Sequence, residues 1–165
     1  RGAAILGGSA PPGDPAALFV AAALQVWYGA RSARLAVAEV ARTTRGGCPV
    51  CGFSAVAGVV DGDDKLRYLS CGLCAAEWHV TRLHCTSCGG TAGLSYFALD
   101  GDADGNARGV KAEACAACRA YLKLFYREQL PDAEPLADDA ATLVLDLLLG
   151  ADEWARVGVN LLVHP

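Results

Sequence analysis

Apolar side chains follow a helical period in the first quarter of the chain. Asp14 followed by Pro15 is typical of a helix start. The apolar residues after Pro15 occupy most sides of a helix and therefore predict a buried one; among them are Leu18, Phe19, Ala22 and Val26. A second helix is predicted from about Ala30 to Ala41. Residues 1–13 are rich in Gly and Pro and predict a flexible lead-in.

After the Gly-containing segment Thr43 to Gly47, the period of apolar positions changes from helical to two, which is typical of strands. Strands are predicted at 56–60 and 65–70, joined by a hairpin turn at Asp61-Gly62-Asp63-Asp64. Residues 77–83 alternate in the same way, which predicts a third strand. The layout then repeats, with strands at 94–99, 110–115 and 121–126 and a turn at 100–106. The sequence therefore predicts two tandem copies of one small unit.

The end of the chain returns to a helical pattern. A linker at 131–135 precedes one strong helix predicted from Leu136 to Leu149, with Gly150 at its end. Asp138 and Asp139 lie in its first turn, where negative charge favours the helix dipole. An acidic patch that contacts a partner is the alternative interpretation of this pair.

All of the cysteines belong to C-x-x-C pairs, which changes the interpretation of the predicted strands. The pairs are Cys48/Cys51, Cys71/Cys74, Cys85/Cys88 and Cys115/Cys118. Four such pairs supply the ligands for two tetrahedral four-thiolate metal sites, because each spacer turns the backbone so that both sulfurs point at one ion. Gly52 and Gly89 directly follow two of the pairs, where a metal knuckle often needs a positive φ.

Disulfides within these pairs are the less favourable alternative. A bond inside C-x-x-C closes a loop so small that it contributes only roughly 2 kcal/mol, whereas a structural zinc ion contributes about 10–16 kcal/mol. A thioredoxin-type dithiol would need one pair beside a βαβ pattern, whereas this chain has four pairs. The sequence therefore favours metal binding, with iron and zinc both compatible with four thiolates.

Chain order indicates how the pairs combine. Nineteen residues lie between Cys51 and Cys71 (52–70) and twenty-six between Cys88 and Cys115 (89–114), each enough for a hairpin that returns to its own knuckle. Only ten lie between the second and third pairs (75–84). We therefore expect site one from the first two pairs and site two from the last two, with an interleaved arrangement as the alternative.

These elements define the expected organisation of the chain. The fold class is small α+β, with tandem rubredoxin-like or zinc-ribbon modules flanked by helices at both ends. The expected segments are a lead-in at 1–13, a helical segment at 14–46, the two metal modules at 47–84 and 85–130, and a C-terminal helix and tail at 131–165.

Composition excludes several function classes. The chain has 165 residues, 53% of them hydrophobic, and a net charge of −4, which disfavours binding to nucleic acid. No run is long and apolar enough to predict a membrane span, and the start does not match a signal peptide. Thiolates that must stay reduced indicate the cytoplasm. The chain contains no methionine, which is typical of a fragment or a processed chain.

Other motifs predict little chemistry. Residues 100–105 match the first half of a calcium loop, but its twelfth position is Lys111, where a glutamate is required. His79 and His84 are expected to support the sites without ligating, and His164 belongs to no cluster. The aromatic residues on strands are expected in the core: Tyr68, Trp78, Tyr96 and Tyr121. No catalytic constellation is recognisable, so we expect a protein that is not an enzyme.

Three cysteine-bearing runs, at 48–58, 66–89 and 112–125, resemble the formate dehydrogenase accessory protein family, FdhE. The resemblance includes Glu77-Trp78-His79 with the following Arg82, and extends to 19–36, 135–149 and 156–162. It implies tandem rubredoxin-like modules, iron as the usual metal, and a cytoplasmic accessory protein that binds the catalytic subunit of a formate dehydrogenase. The alternatives are a zinc-ribbon module that binds nucleic acid and a rubredoxin-like redox carrier.

Overall fold

The computed structural model describes residues 2–6, 14–35, 46–99 and 109–163. Two helices precede the first cysteine, α1 (Gly2–Leu6) and α2 (Ala17–Ser32). The central strands are β1 (Ala55–Asp61), β2 (Leu66–Cys71), β3 (Glu77–Val80), β4 (Leu94–Phe97), β5 (Val110–Cys115) and β6 (Ala120–Tyr126). The chain ends with α3 (Pro135–Ala141), α4 (Leu143–Ala151) and the short β7 (Ala155–Arg156). The predicted α+β class is confirmed.

The central strands form one continuous sheet in the order β3-β2-β1-β6-β5-β4, and β7 pairs with β6. Each half is an antiparallel three-stranded unit with the same strand order, so the predicted repeat is present. The halves join through the parallel pair β1–β6, where Gly58 lies opposite Leu124. A Cβ at Gly58 would lie only 2.6 Å from a methyl carbon of Leu124, so a larger residue here would force the Leu124 side chain to move.

Two apolar clusters pack helices against the sheet, one on each half. The largest cluster joins Ala17 and Ala21 of α2 to Leu69, Trp78 and other residues of the first half of the sheet. Leu145 and Leu149 of α4 pack with Ala112, Ala114 and Tyr121 of the second half. The boundaries predicted for the metal modules remain a prediction, because both halves lie within one sheet.

The N-terminal helices differ from the sequence prediction, and the expectation of a buried helix was wrong for Phe19 and Val26, which are 76% and 74% exposed. Within the predicted lead-in, Gly2–Leu6 is helical and Ile5 is buried. The Asp14 side chain accepts the Ala16 amide at 3.0 Å, but α2 begins only at Ala17. The second helix predicted from Ala30 is not separate, because α2 continues to Ser32 and residues 33–35 form turns and a bend. The remainder of that prediction, 36–41, lies outside the described residues.

The long helix predicted at the end of the chain is wrong in one respect, because Thr142 divides it into α3 and α4. Thr142 has φ −112° and ψ 29°, and its hydroxyl donates to the Asp138 carbonyl at 2.7 Å. The buried Lys123 ammonium donates to the Asp139 carbonyl at 2.7 Å. In a continuous helix the carbonyls of Asp138 and Asp139 would accept backbone amides one turn later. Here they accept hydrogen bonds from the Thr142 and Lys123 side chains.

The predicted hairpin at 61–64 is confirmed, with Asp61 opposite Leu66. Strand β3 is shorter than predicted and ends at Val80, because the chain turns before Leu83, which has a φ of +64°. Its alternation is as predicted, with Trp78 and Val80 buried and Glu77 exposed. Strand β4 also ends early, at Phe97. The rejected calcium loop at 100–105 lies outside the described residues.

Candidate metal centres

All of the C-x-x-C pairs form the same backbone turn. The residue after the second cysteine has a positive φ each time, +77° at Gly52 and Gly89, +55° at Ala75 and +57° at Arg119. Its amide donates to the carbonyl of the first cysteine at 2.8–3.3 Å. The sequence suggested this conformation only where glycine is present, so Ala75 and Arg119 adopt it without the residue type that favours it.

The two hairpins deliver these turns in pairs. In the first half, β1 follows the first C-x-x-C turn, and its partner strand β2 leads into the second C-x-x-C turn. Ala55 at the start of β1 is therefore opposite Cys71 at the end of β2. In the second half, Leu94 is opposite Cys115 in the same way. The sulfurs of each resulting quartet lie within 4.8 Å of one another, and the quartets are Cys48, Cys51, Cys71, Cys74 and Cys85, Cys88, Cys115, Cys118. The structure thus groups the sulfurs in chain order and not in the interleaved arrangement.

Distances between sulfurs fit a shared metal ion. Opposed pairs are separated by 3.6 Å (Cys48–Cys74) and 3.4 Å (Cys51–Cys71) in site one. In site two the separations are 3.6 Å (Cys85–Cys118) and 3.8 Å (Cys88–Cys115). A disulfide needs about 2.0 Å, whereas tetrahedral ligands with metal–sulfur bonds of about 2.3 Å lie roughly 3.8 Å apart. The spacing therefore suits four ligands of one ion in each site.

The electrostatics of the quartets also favour a cation. Hydrogen bonds from the other three cysteine side chains raise the pKa of Cys71, so its thiol holds its proton in the absence of an ion. Burial raises the pKa of Cys118, but hydrogen bonds with the Ala120 amide and the neighbouring thiols lower it to about 7. Cys71 of site one and Cys118 of site two therefore ionise with different ease. A bound cation would stabilise all four thiolates together.

The two sites differ in exposure to solvent. Three of the site-one cysteines are buried, and Gln25 of α2 donates to the Gly72 carbonyl in its second knuckle at 2.9 Å. The Val159 carbonyl lies 2.8 Å from where a Cβ of Gly72 would stand, so the C-terminal segment covers this site closely. In site two Cys88 is exposed and Cys118 half-buried. Site one is therefore more enclosed than site two.

An ion pair that sequence reasoning missed links the sites. Arg67 on β2 donates to the Glu113 carboxylate on β5 at 2.5 Å, and both side chains are buried. The same guanidinium donates to the carbonyls of Thr81 and His84, at 2.7 and 2.9 Å, in the connection that leads to Cys85. The sequence did contain an indication of this ion pair. Arg67, Leu69 and Cys71 are two residues apart on one strand, so they share one face, and that face is the buried one.

The remaining predicted residues are not members of either sulfur quartet. His79 and His84 are exposed and belong to neither quartet, and His164 lies outside the described residues. Trp78 and Tyr121 are buried, as expected of core residues, and Tyr68 is half-buried. The expectation was wrong for Tyr96, which is 44% exposed because β4 is an edge strand.

The Asp138/Asp139 pair does not form an acidic surface patch. Asp138 accepts the Glu134 amide at the start of α3 at 2.7 Å, as expected of an acid near a helix N-terminus. Asp139 is fully buried and pairs with Lys123 at 2.7 Å and with Arg156 at 2.6 Å. Asn160 donates to the same carboxylate at 3.0 Å. Asp139 therefore ties the C-terminal helices and tail to the sheet.

No described helix is both long enough and apolar enough to span a lipid bilayer.

Comparisons with known proteins agree with the geometry. A sequence model of the central domain of FdhE matches residues 47–82, and one of the C-terminal domain matches 83–163. An FdhE homologue from Pseudomonas aeruginosa is 42% identical over 92% of this chain and 51% of its own length. One from Yersinia pestis is 39% identical over 93% of this chain and 50% of its own length.

A solved structure has the same fold. The crystal structure of the FdhE protein from Pseudomonas aeruginosa superposes with a TM-score of 0.87 and 39% identity, covering 96% of this chain and 56% of that chain. The chain thus spans about half the length of the relatives it matches. Two consecutive domain models, two similar homologues and the shared fold lead to one conclusion: the chain belongs to the FdhE family.

Proposed function

We propose that the chain acts as a cytoplasmic accessory protein that binds the catalytic subunit of a formate dehydrogenase and supports its activity. One observation carries the proposal: a member of the FdhE family has two complete sulfur quartets on one continuous sheet. In this proposal the quartets hold two metal ions, iron or zinc, through the eight cysteine sulfurs. Bound ions would contribute structure, because all four ligand positions of each site are occupied by protein.

The surface around site two is the proposed contact with the client. Leu83, which precedes this site by two residues, is 62% exposed and has a φ of +64°. A branched apolar residue in that conformation is strained, and an exposed apolar side chain next to it suits protein contact. Cys88 and Gly89 of the adjacent knuckle are also exposed. The combination offers a small apolar surface positioned by the metal site.

A role without catalysis fits the buried ionisable groups. Arg67 pairs with Glu113, and Lys123 pairs with Asp139 and Asp146, so these groups stabilise the fold. Reduced thiolates need a reducing compartment, which supports the proposed cytoplasmic location. The nucleic-acid alternative has less support, because the chain carries a net charge of −4, whereas binding to phosphate backbones needs an excess of basic residues. The exposure of Cys88 keeps a rubredoxin-like redox carrier as the second candidate.

A capture experiment tests this function. The metal-loaded, reduced chain is immobilised and exposed to the purified catalytic subunit of a formate dehydrogenase from the same organism. We expect measurable binding, and we expect Leu83→Asn to weaken it by about tenfold, because one buried apolar contact at an interface contributes on the order of 1–2 kcal/mol. Asparagine tolerates positive φ, so this variant should retain its fold and metal.

The matched control is Leu66→Asn, which changes a 41% exposed leucine at the start of β2. This variant should bind like the original chain. Absence of association in both reduced and oxidised chains would contradict the proposed partner. Equal binding by all three chains would contradict the proposed contact surface while leaving the partner in place.

A further inference from the structure

A cleft of about 500 Å³ lies between the C-terminal end of α2 and the first knuckle. Trp27, Arg31 and Arg34 contribute one wall, and Val50 and Cys51 contribute the other. Its volume falls in the range typical of ligand and peptide sites, roughly 300–1,000 Å³. The cleft lies beside site one, because Cys51 of that site is one of its lining residues.

Two arginines, Arg31 and Arg34, line this cleft together. The described part of the chain gives Arg31 and Arg34 no carboxylate partner. Five other described cations pair with carboxylates, whereas three more have no carboxylate partner among the described residues: the paired ones are Lys65, Arg67, Lys123, Arg127 and Arg156, and the others are Arg82, Lys111 and Arg119. The lining contains both unpaired guanidiniums and no acidic residue. A chain with a net charge of −4 thus presents a local positive cleft.

Trp27 holds one of these cations in place. The Arg31 guanidinium lies over the Trp27 ring, 4.8 Å from its centroid, while Trp27 is 54% exposed and contacts the Tyr28 ring edge-on. Stacking orients a guanidinium without using its N–H donors. Arg31 therefore keeps its planar set of donors for a carboxylate, with less entropy to lose on binding.

We infer that this cleft binds an acidic peptide segment of a partner protein, with carboxylates on Arg31 and Arg34 and apolar side chains against Trp27 and Val50. The cleft is open, which suits side chains of an extended segment. A phosphate backbone fits less well, because two guanidiniums are few for a nucleic-acid track. The inference goes beyond the proposed formate dehydrogenase role and does not require it.

The test uses a fluorescein-labelled peptide that alternates glutamate and alanine, titrated with the metal-loaded full chain and followed by anisotropy. We expect saturable binding that weakens as salt rises, and a shift of the Trp27 indole N–H signal in NMR spectra. The double variant Arg31→Gln/Arg34→Gln should weaken binding by about tenfold or more, because it removes both charge-assisted contacts. Unchanged metal content would show that this variant keeps site one.

The matched control is Arg82→Gln/Lys111→Gln, which removes the same charge from positions outside the cleft. It should bind the peptide like the original chain. Equal weakening in both double variants would overturn the inference, as would equal binding of a peptide with glutamine in place of glutamate. Stronger binding of an oligothymidine than of the acidic peptide would also overturn it, as would no binding at about 1 mM chain.

Discussion

Removal of both metal ions by a chelator is expected to unfold the sheet from Ala55 to Tyr126 in one transition. Two structural ions would contribute about 10–16 kcal/mol each, whereas a typical domain is stable by only about 5–15 kcal/mol. Strands β1 and β6 join the two halves of the sheet. If one half unfolds, the joining strand of the other half loses its hydrogen-bonded neighbour. Helix α4 should lose its support as well, because Leu145 and Leu149 pack on Ala112 and Ala114 of β5.

Hydrogen exchange measured before and after chelation tests this expectation. Backbone amides of β1, β2, β5 and β6 should lose protection when the ions leave and regain it when metal is restored. A chelator saturated with zinc beforehand is the control and should leave protection unchanged. Retention of sheet protection after both ions have been removed would contradict a metal-dependent fold.

Replacement of Asp139 by leucine is expected to lower the free energy of unfolding by about 3–5 kcal/mol. The substitution leaves the fully buried ammonium of Lys123 with Asp146 as its remaining carboxylate. Arg156 and Asn160 lose an acceptor at the same time. Urea denaturation of the metal-loaded chain measures the change, since metal content then stays constant across variants.

The neighbouring acid gives a matched control. Asp138 accepts one amide at the start of α3 at 2.7 Å, so Asp138→Ala should cost only about 1 kcal/mol. A clear difference between the two substitutions is expected. Similar losses for both would contradict the assignment of Asp139 as the buried centre of this network.

Local chemistry explains why the grouping of the cysteines into two quartets could be predicted from the sequence. Each C-x-x-C spacer and each hairpin lies within one short stretch, so the spacing of Cys48, Cys51 and Cys71 already limits which pairs meet. The positive φ at Ala75 and Arg119 could not be predicted in this way, because neither residue type favours it. Bound metal ions would stabilise these turns, because each ion would tie both sulfurs of a turn to the facing pair.

Contacts between distant residues explain what the sequence did not predict. Lys123 meets Asp139 across the sheet-to-helix packing, and no period or spacing connects the two positions. Lys123 also donates to the Thr142 hydroxyl, at the residue where the predicted long helix is interrupted. Asp139, which was expected in the first turn of that helix, is fully buried as a result. The parallel β1–β6 junction is equally non-local, since a repeat of two units does not specify which edges pair.

The central claim is that eight sulfurs hold two metal ions in this chain. Native mass spectrometry of freshly purified, reduced protein, combined with elemental analysis, measures this directly. We expect two ions of iron or zinc per chain. Acidification should release both ions and, at the same time, replace the charge-state distribution of the folded chain with that of an unfolded one. Fewer than two bound ions in a chain that remains folded would contradict it.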